Sequence, residues 1–595
     1  MDQLMIRISP HSLFCRPPTL FFRPDIRRCP CCGSLLQVEK TRTTELVTLT
    51  IGLFKAHETI LACTKCKSSE SYRSEKLAKI RPYRGTFGYD VLVHVGEAVF
   101  LRHHAEKEIR WELAEKNVLI SSREISYLAR KFIVYLALAH RQSTENIKRL
   151  MRSRGGYILH LDATCEGDSP HLMSGLDGVS EIVLENTKLA SEKAERIIPF
   201  LRNIKRLYGD PLASVHDMGK GISNALQEVF PDSPDFICHY HFLADLGKDL
   251  FGAENDKIRV RLKKHGIQGK LRKRVREYKM RIDKTPSLVQ SLTYGMDEKD
   301  PSGCTSLEGI PLVVSYTLVL WALEGKKAAE GYGFPFDRTY LAFYQRLKSL
   351  HATIRQLRER HWGGRKDAGP YTMIFRDLID TLEDPLLRKT AEKMEEKTAI
   401  FDKLREAMRI AMPNGKAGLN DQGEQLPTHT IERAVKRFCK WVDADESLCR
   451  GEDYPKMMSQ VKKYWRKLFS DPLLIDTPKG TIVVQPQRTN NILEGLFREI
   501  KRSYRKKSGS KALGRILKAM LSDTPLVRNL ENPQYLQIIL DGNSSLEERF
   551  SQIDAQLVQT ELSKHLAASE KVPTKIQKLI KLPDLPETLV ALFAG

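Results

Sequence analysis

The stretch from Gly155 to His241 constrains the fold of this 595-residue chain more than any other, because strand-like and helical runs follow one another there in a definite order. The apolar run YILHL leads into Asp162, as in a buried strand that delivers a carboxylate at its end. HLMSGLDG and EIVLEN follow as two more short strands. From Ser191 to Tyr208, the residues Ile197, Leu201, Ile204 and Tyr208 recur at helical spacing and predict one apolar face. LASVHD is then a strand with Asp217 at its end, and Ile222, Leu226 and Val229 mark a short amphipathic helix. DFICHYH is a fifth strand. Either acid taken singly reads as an ordinary turn residue after a strand. Together, acids at strand ends can converge, and converging carboxylates suit a hard divalent cation such as Mg²⁺, with positions left over for substrate phosphate.

A third acid lies far downstream, in QRTNNILEGLFREIKRSYRKKSG. Thr489 and the two asparagines after it form a helix N-cap signal. Leu493, Leu496, Phe497 and Ile500 form an apolar face, and Glu494 sits at its edge. Arg498, Lys501 and Arg505 follow Glu494 along that edge as candidate DNA contacts. On its own the segment reads as a solvated helix with an i,i+4 Glu–Arg pair worth about 0.3 kcal/mol. After two strand-end acids, it resembles the TNNxxE-type third-acid helix of several transposase families.

The whole pattern resembles the DDE-type DNA transposases, which implies an α/β fold with a ribonuclease H-like catalytic core. The resemblance spans residues 29–70, 155–245 and 485–510. It implies that Asp162, Asp217 and Glu494 are the catalytic acids and hold two Mg²⁺ or Mn²⁺ ions. Water would cut an element's end, and the freed 3′-hydroxyl would attack target DNA by in-line displacement. No covalent protein–DNA intermediate is needed. Double-stranded DNA, as terminal repeats and as target, is the implied partner, and joining two ends implies at least a homodimer. Two alternatives stay open: a DNA-binding regulator with an inactive core, and a nuclease that cuts without joining.

Charge points the same way. The chain carries 96 Lys and Arg against 74 Asp and Glu, a net charge of +22, which favours a polyanionic partner. The longest apolar run, PLVVSYTLVLWAL, is too short to span a bilayer, and MDQLMIRISP lacks a signal-peptide layout, so no membrane is expected. Eleven cysteines, an odd number, fit a disulfide framework poorly. The expected location is cytoplasm or nucleoid in a bacterium, and the nucleus in a eukaryote.

Residues 1–28, with PPTLFFRPD, read as an irregular leader. Cys29 with Cys32, and Cys63 with Cys66, then form two C-x-x-C knuckles around a Thr-, Val- and Leu-rich segment. Two such knuckles complete a tetrahedral Cys₄ site for structural Zn²⁺, as in a zinc ribbon. Cys31 is a register alternative and reads as a bystander. EKEIRWELAEK, a turn, and SREISYLARKFIVYLALAHR make a helix-turn-helix candidate. Ser121 and Glu124 form its capping box, and Arg123, Ser126, Tyr127 and Arg130 lie near the start of its second helix. A recognition element ahead of the core is also the layout of the transposases resembled.

Cys238 and His241 form a C-x-x-H pair at the end of the fifth strand, where many such transposases carry a similar pair. They are candidates for supporting the acids or a substrate phosphate, or are simply a buried Cys and a satisfied His. Glu166 and Asp168 are rival carboxylates, and His216 belongs on the face opposite Asp217. The gap before Glu494 is too long for a loop and predicts an inserted, mainly helical domain. Its basic run from Lys257 to Lys284 is a candidate phosphate-backbone stripe, and Trp321, Trp362, Trp441 and Trp465 read as packing residues. Pro413–Pro427 reads as an exposed loop. The expected division is 1–75 zinc ribbon, 76–150 helix-turn-helix region, 151–245 core, 246–480 insertion, 481–525 third-acid helix and 526–595 helical tail.

Overall fold

A Thr-rich run and a more apolar one open the fold as an antiparallel hairpin, β2 (Gln37–Thr48) with β3 (Gly52–Ala62), preceded by β1 (Thr19–Phe22), which pairs parallel to β3. The expected leader thus contributes a strand. These elements come from a computed structural model of the protein. It describes residues 17–66, 71–297, 308–325, 330–360, 368–411, 428–469, 471–477, 480–509, 512–567, 576 and 579–593. Pro413–Pro427 and Trp362 lie outside the described residues. The chain is mixed α/β and divides into two units, one of Met1–Pro234, Leu474–Val483 and Asn490–Gly595, the other of Asp235–Leu473 and Val484–Thr489.

In the first unit β2 is buried only near the turn, where Leu46, Phe54 and Ala56 pack with Leu77, while β3 is also buried at Glu58, Thr59 and Ile60. Helices α1 (Tyr89–Phe100), α2 (Glu106–Glu115) and α3 (Ser122–Gln142) follow. The Ser121–Glu124 capping box starts α3: the Ser121 backbone N–H donates to Glu124 Oε2 at 2.9 Å, and the Glu124 N–H to Ser121 Oγ at 3.2 Å. Only the ends of α3 reach solvent, with Arg123, Tyr127 and Arg130 exposed in its first turns and Gln142 at its end. Every residue from Lys131 to His140 is buried, so α3 is chiefly a core helix.

A meander follows: β4 (Ile158–Thr164), β5 (His171–Asp177) and β6 (Val183–Leu189), each antiparallel to the one before. Helix α4 (Ala194–Tyr208) crosses over to β7 (Ala213–His216), which pairs parallel to β4, so these four lie in the order β6-β5-β4-β7. Strand β4 is buried from Ile158 to Asp162, as expected of an interior strand covered on both faces. The apolar face foreseen on α4 is buried at Ile197, Leu201, Ile204 and Tyr208. It comes so close to the sheet that a Cβ on Gly175 would lie 2.9 Å from Ile204. Helix α5 (Lys220–Val229) buries Ile222, Leu226 and Val229.

The second unit starts with the short strand β8 (Asp235–Ile237) and the long helix α6 (His239–Lys264), which is interrupted at Phe251. Helix α7 (Ile267–Ile282) and six further long helices between Ile310 and Lys463 make this unit helical. Trp465 Nε1–H donates to Glu432 at 3.0 Å, and its ring packs at a tilt against Phe469, a packing role. Trp321 and Trp441 are partly exposed under the cations of Arg346 and Lys403.

The chain returns to the first unit at Leu474–Val483 and again with α8 (Asn491–Ser508) and α9 (Leu513–Ala519), then short helices to Phe593. Leu493, Leu496 and Phe497 of α8 join the same core as α3, β4–β6, α4 and α5. The last helix, Leu585–Phe593, buries no residue. Among the described residues, no helix is long and apolar enough to cross a membrane.

Candidate functional site: an acid cluster and a thiol cluster

The ladder between β4 and β7 places the first two acids side by side. Leu161 is in register with His216, so the next positions, Asp162 and Asp217, are neighbours on parallel strands. Asp162 lies two residues inside its strand, and Asp217 lies one past the end of its own. Asp217 Oδ1 accepts from the Gly219 N–H at 3.0 Å, which turns the chain into α5.

Glu494 arrives on the first turn of α8, and Asn490 fixes that helix to β4. The Asn490 amide donates to the Leu161 carbonyl at 2.8 Å, and its oxygen pairs with His160 Nδ1 at 2.9 Å. Asn490 occupies the N-cap position, but its side chain makes no cap hydrogen bond. It reaches across to the strand one residue before Asp162 instead. Asn490 and His160 are both fully buried, and burial pulls the imidazole down to about 4, so the ring is neutral. The sequence suggested a cap there; the structure has a clamp.

The charges of the other two acids reach Asp162, although the three carboxylates do not all lie within 4.8 Å of one another. Burial, followed by the charges of Asp217, Glu494 and Glu192, pushes Asp162 up to about 8, against the pull of the Ala163 N–H. Oxygen-only donors with mutual repulsion are the donor set that Mg²⁺ and Mn²⁺ take. The rival carboxylates are engaged elsewhere. Glu166 accepts from the Gly514 N–H at 2.8 Å, and Asp168 pairs with Lys518 at 2.8 Å, so both tie their loop to α9. Arg498, Lys501 and Arg505 are exposed along α8 and make no ion pair among the described residues. Cys238 is buried at the N-cap of α6, and His241 lies in the first turn of that helix. Both belong to the second unit, on a helix and not on the expected strand.

The hairpin register sets Gln37 opposite Ala62, and this brings the two C-x-x-C knuckles together at its open end. Donor atoms of Cys29, Cys32, Cys63 and Cys66 all lie within 4.8 Å of one another, with Cys29–Cys66 and Cys32–Cys63 sulfur contacts of 3.5 Å. A tetrahedral ZnS₄ centre with bonds of about 2.3 Å would set its sulfurs about 3.8 Å apart, so the cluster has the dimensions of such a site. Knuckle contacts shape it: the Gly33 N–H donates to the Cys29 carbonyl at 2.9 Å with Gly33 at φ +68°, and the Cys66 N–H points to Cys63 Sγ at 3.5 Å. The Cys32 N–H leads in pulling the Cys29 thiol down to about 6, which favours the thiolate. Cys31 is exposed and stands outside the cluster, and none of the described cysteines forms a disulfide.

No protein-family model matches the chain, and no curated protein shows significant similarity to it.

Proposed function

We propose that the protein is a DNA transposase of the DDE type that cuts element ends and joins them to target DNA. The observation that carries this reading is that Asp162 and Asp217 stand at neighbouring register positions of two adjacent parallel strands, with Glu494 on a helix clamped to the first of them. The β6-β5-β4-β7 order, with a helical crossover before the parallel strand, supports a ribonuclease H-like core. Divalent cations held by these three carboxylates would supply the Lewis acidity for in-line displacement at phosphorus. The chain's own part is positional: β4 and β7 hold two carboxylates at one sheet end, and Asn490 sets the third. The four thiols of the hairpin suit a structural Zn²⁺.

Exposed cations support a nucleic-acid partner. Arg498, Lys501 and Arg505 continue from Glu494 along α8. In the second unit, Arg272 and Arg276 on α7, with Lys263 and Lys264 at the end of α6, are exposed and make no ion pair among the described residues. Other parts of that basic run are committed internally: Arg261 pairs with Asp384 at 2.7 Å and Arg274 with Asp377 at 2.6 Å. The stripe available to phosphates is therefore narrower than its composition suggests.

The test is a mobility assay with a marked element carrying this gene's native flanking DNA, supplied with wild type, Asp217→Asn or Glu494→Gln. Movement with wild type and none with either variant is the expected result. Equal movement with Glu494→Gln would remove that residue from the site. Specific DNA binding with no movement from any form would leave a regulator in place of an enzyme.

A further inference from the structure

A second mixed cluster of metal-binding groups lies at the sheet end that bears Asp162. One donor atom each from Cys165, His171 and Glu192 lies within 4.8 Å of the other two. They come from two connections: Cys165 and His171 flank the β4–β5 loop, and Glu192 lies just after β6. We infer that Cys165, His171 and Glu192 form a further metal site, separate from the hairpin thiols and the acid cluster, that takes Zn²⁺.

The donor chemistry selects the ion. A set of one sulfur, one imidazole nitrogen and one carboxylate oxygen suits a borderline-soft cation, whereas Mg²⁺ takes oxygen donors only. Zinc with bonds of about 2.0–2.3 Å holds its donors about 3.3–3.8 Å apart. In the ion-free arrangement His171 Nδ1 lies 2.7 Å from Glu192 Oε1, so binding would open this contact slightly. Cys165 would bind as thiolate and give its proton to solvent, and His171 would bind through a neutral ring nitrogen. The 2+ charge of the ion then balances the thiolate and Glu192, and a fourth position is left for water.

Each ligand stands on an anchored segment, which lowers the cost of ordering the site. The loop after Cys165 is held by the Glu166–Gly514 and Asp168–Lys518 contacts to α9, and the Glu166 N–H donates to Ser169 Oγ at 3.0 Å. His171 is locked in the β5–β6 ladder opposite Leu189. Glu192 is gripped at its backbone: a Cβ on Gly221 would lie 1.8 Å from the Glu192 carbonyl oxygen, so only glycine lets α5 approach this closely. The charge of Glu192 also reaches Asp162, so an ion here would reduce the negative charge around the acid cluster.

The experiment is alkylation of the full-length protein with N-ethylmaleimide, with and without added Zn²⁺, and each cysteine quantified by peptide mass. Cys165 and Cys449 are both exposed, and Cys449 serves as the internal reference. At free Zn²⁺ ten times the dissociation constant, alkylation of Cys165 should slow about tenfold in wild type. The protection should persist in Asp217→Asn and vanish in both His171→Ala and Glu192→Gln, with Cys449 unchanged in all. Equal alkylation of wild-type Cys165 with and without Zn²⁺ would overturn the inference. Protection that survives in His171→Ala with an unchanged Cys449 rate would do so too, because it would place the ion elsewhere. The wild-type arm needs no variant to fold.

Discussion

The thiol cluster of the hairpin and the carboxylate cluster of the sheet both gather like donors, but they are assembled by opposite means. Cys29, Cys32, Cys63 and Cys66 are brought together by one hairpin register and two tight knuckles, almost without a hydrophobic core behind them. Asp162, Asp217 and Glu494 rest on a large core and on a clamp between residues 160 and 490. A thiol's ordinary pKa lies near 8.5, so a thiol cluster without a metal carries less charge than a carboxylate cluster, even with Cys29 drawn down to about 6. A buried carboxylate beside two others cannot stay protonated at neutral pH without a shifted pKa. With zinc bound, as proposed, the hairpin would owe its order to the ion, whereas the scaffold holds the acids in place against their own repulsion.

The largest expected effect tests the first half of this contrast. Cys63→Ser or zinc chelation should remove about 10 kcal/mol of metal-linked folding energy from the hairpin. Hydrogen exchange should then show β2 and β3 unprotected while β4–β7 keep their protection; unchanged hairpin protection would mean that the strands order themselves without an ion. Asp162→Asn tests the second half. Because the folded pKa of Asp162 is raised to about 8, its ionised form opposes folding increasingly as pH rises from the unfolded value toward 8. At pH 7 without divalent metal, Asp162→Asn should therefore stabilise the first unit by roughly 4 kcal/mol in denaturant melts. Mg²⁺ should raise the melting temperature of wild type but not of the variant, and a destabilised variant would contradict the repulsion argument.

Asn490→Ala should cost about 2 kcal/mol, because it leaves the buried Leu161 carbonyl and His160 unsatisfied. It should also lower activity while Asp162, Asp217 and Glu494 are all retained, and wild-type rates would deny the clamp a positioning role. The smallest effect is with acid. His140 and His160 are both held down to about 4 by burial. Below the ordinary histidine value near 6.5 only the unfolded chain takes up these protons, so stability is full above that pH and falls between 6.5 and 4. By pH 5.5 each should cost about 1 kcal/mol, seen as a sloping denaturation midpoint. His140→Gln should make that slope shallower.

Much of this was legible in the chain because it is local. The C-x-x-C spacing, the apolar face of α4, the capping box of α3 and the strand before each early acid are written within a few residues. What could not be read depends on register or long-range contact. Asn490 looks like a cap in sequence, and only its contact with β4 reveals a clamp. Residues 165, 171 and 192 have no motif spacing and meet only because two antiparallel ladders fold β4, β5 and β6 back on one another. The C-x-x-H pair looked like the end of a strand, but the strand stops at Ile237 and a 26-residue helix starts at His239. The helix-turn-helix pattern was likewise readable, but not that most of its second helix is core.

The clamp between Asn490 and β4 also fixes an order of events during synthesis. The strands bearing Asp162 and Asp217 leave the ribosome early, and the whole second unit is translated before Glu494 appears. At about 5–20 residues per second this interval lasts some tens of seconds. Throughout that time the nascent chain holds two of the three acids proposed as the site and lacks the helix that bears the third. An unfinished or truncated copy therefore carries an incomplete set of acids, and the complete set exists only in a chain translated past α8.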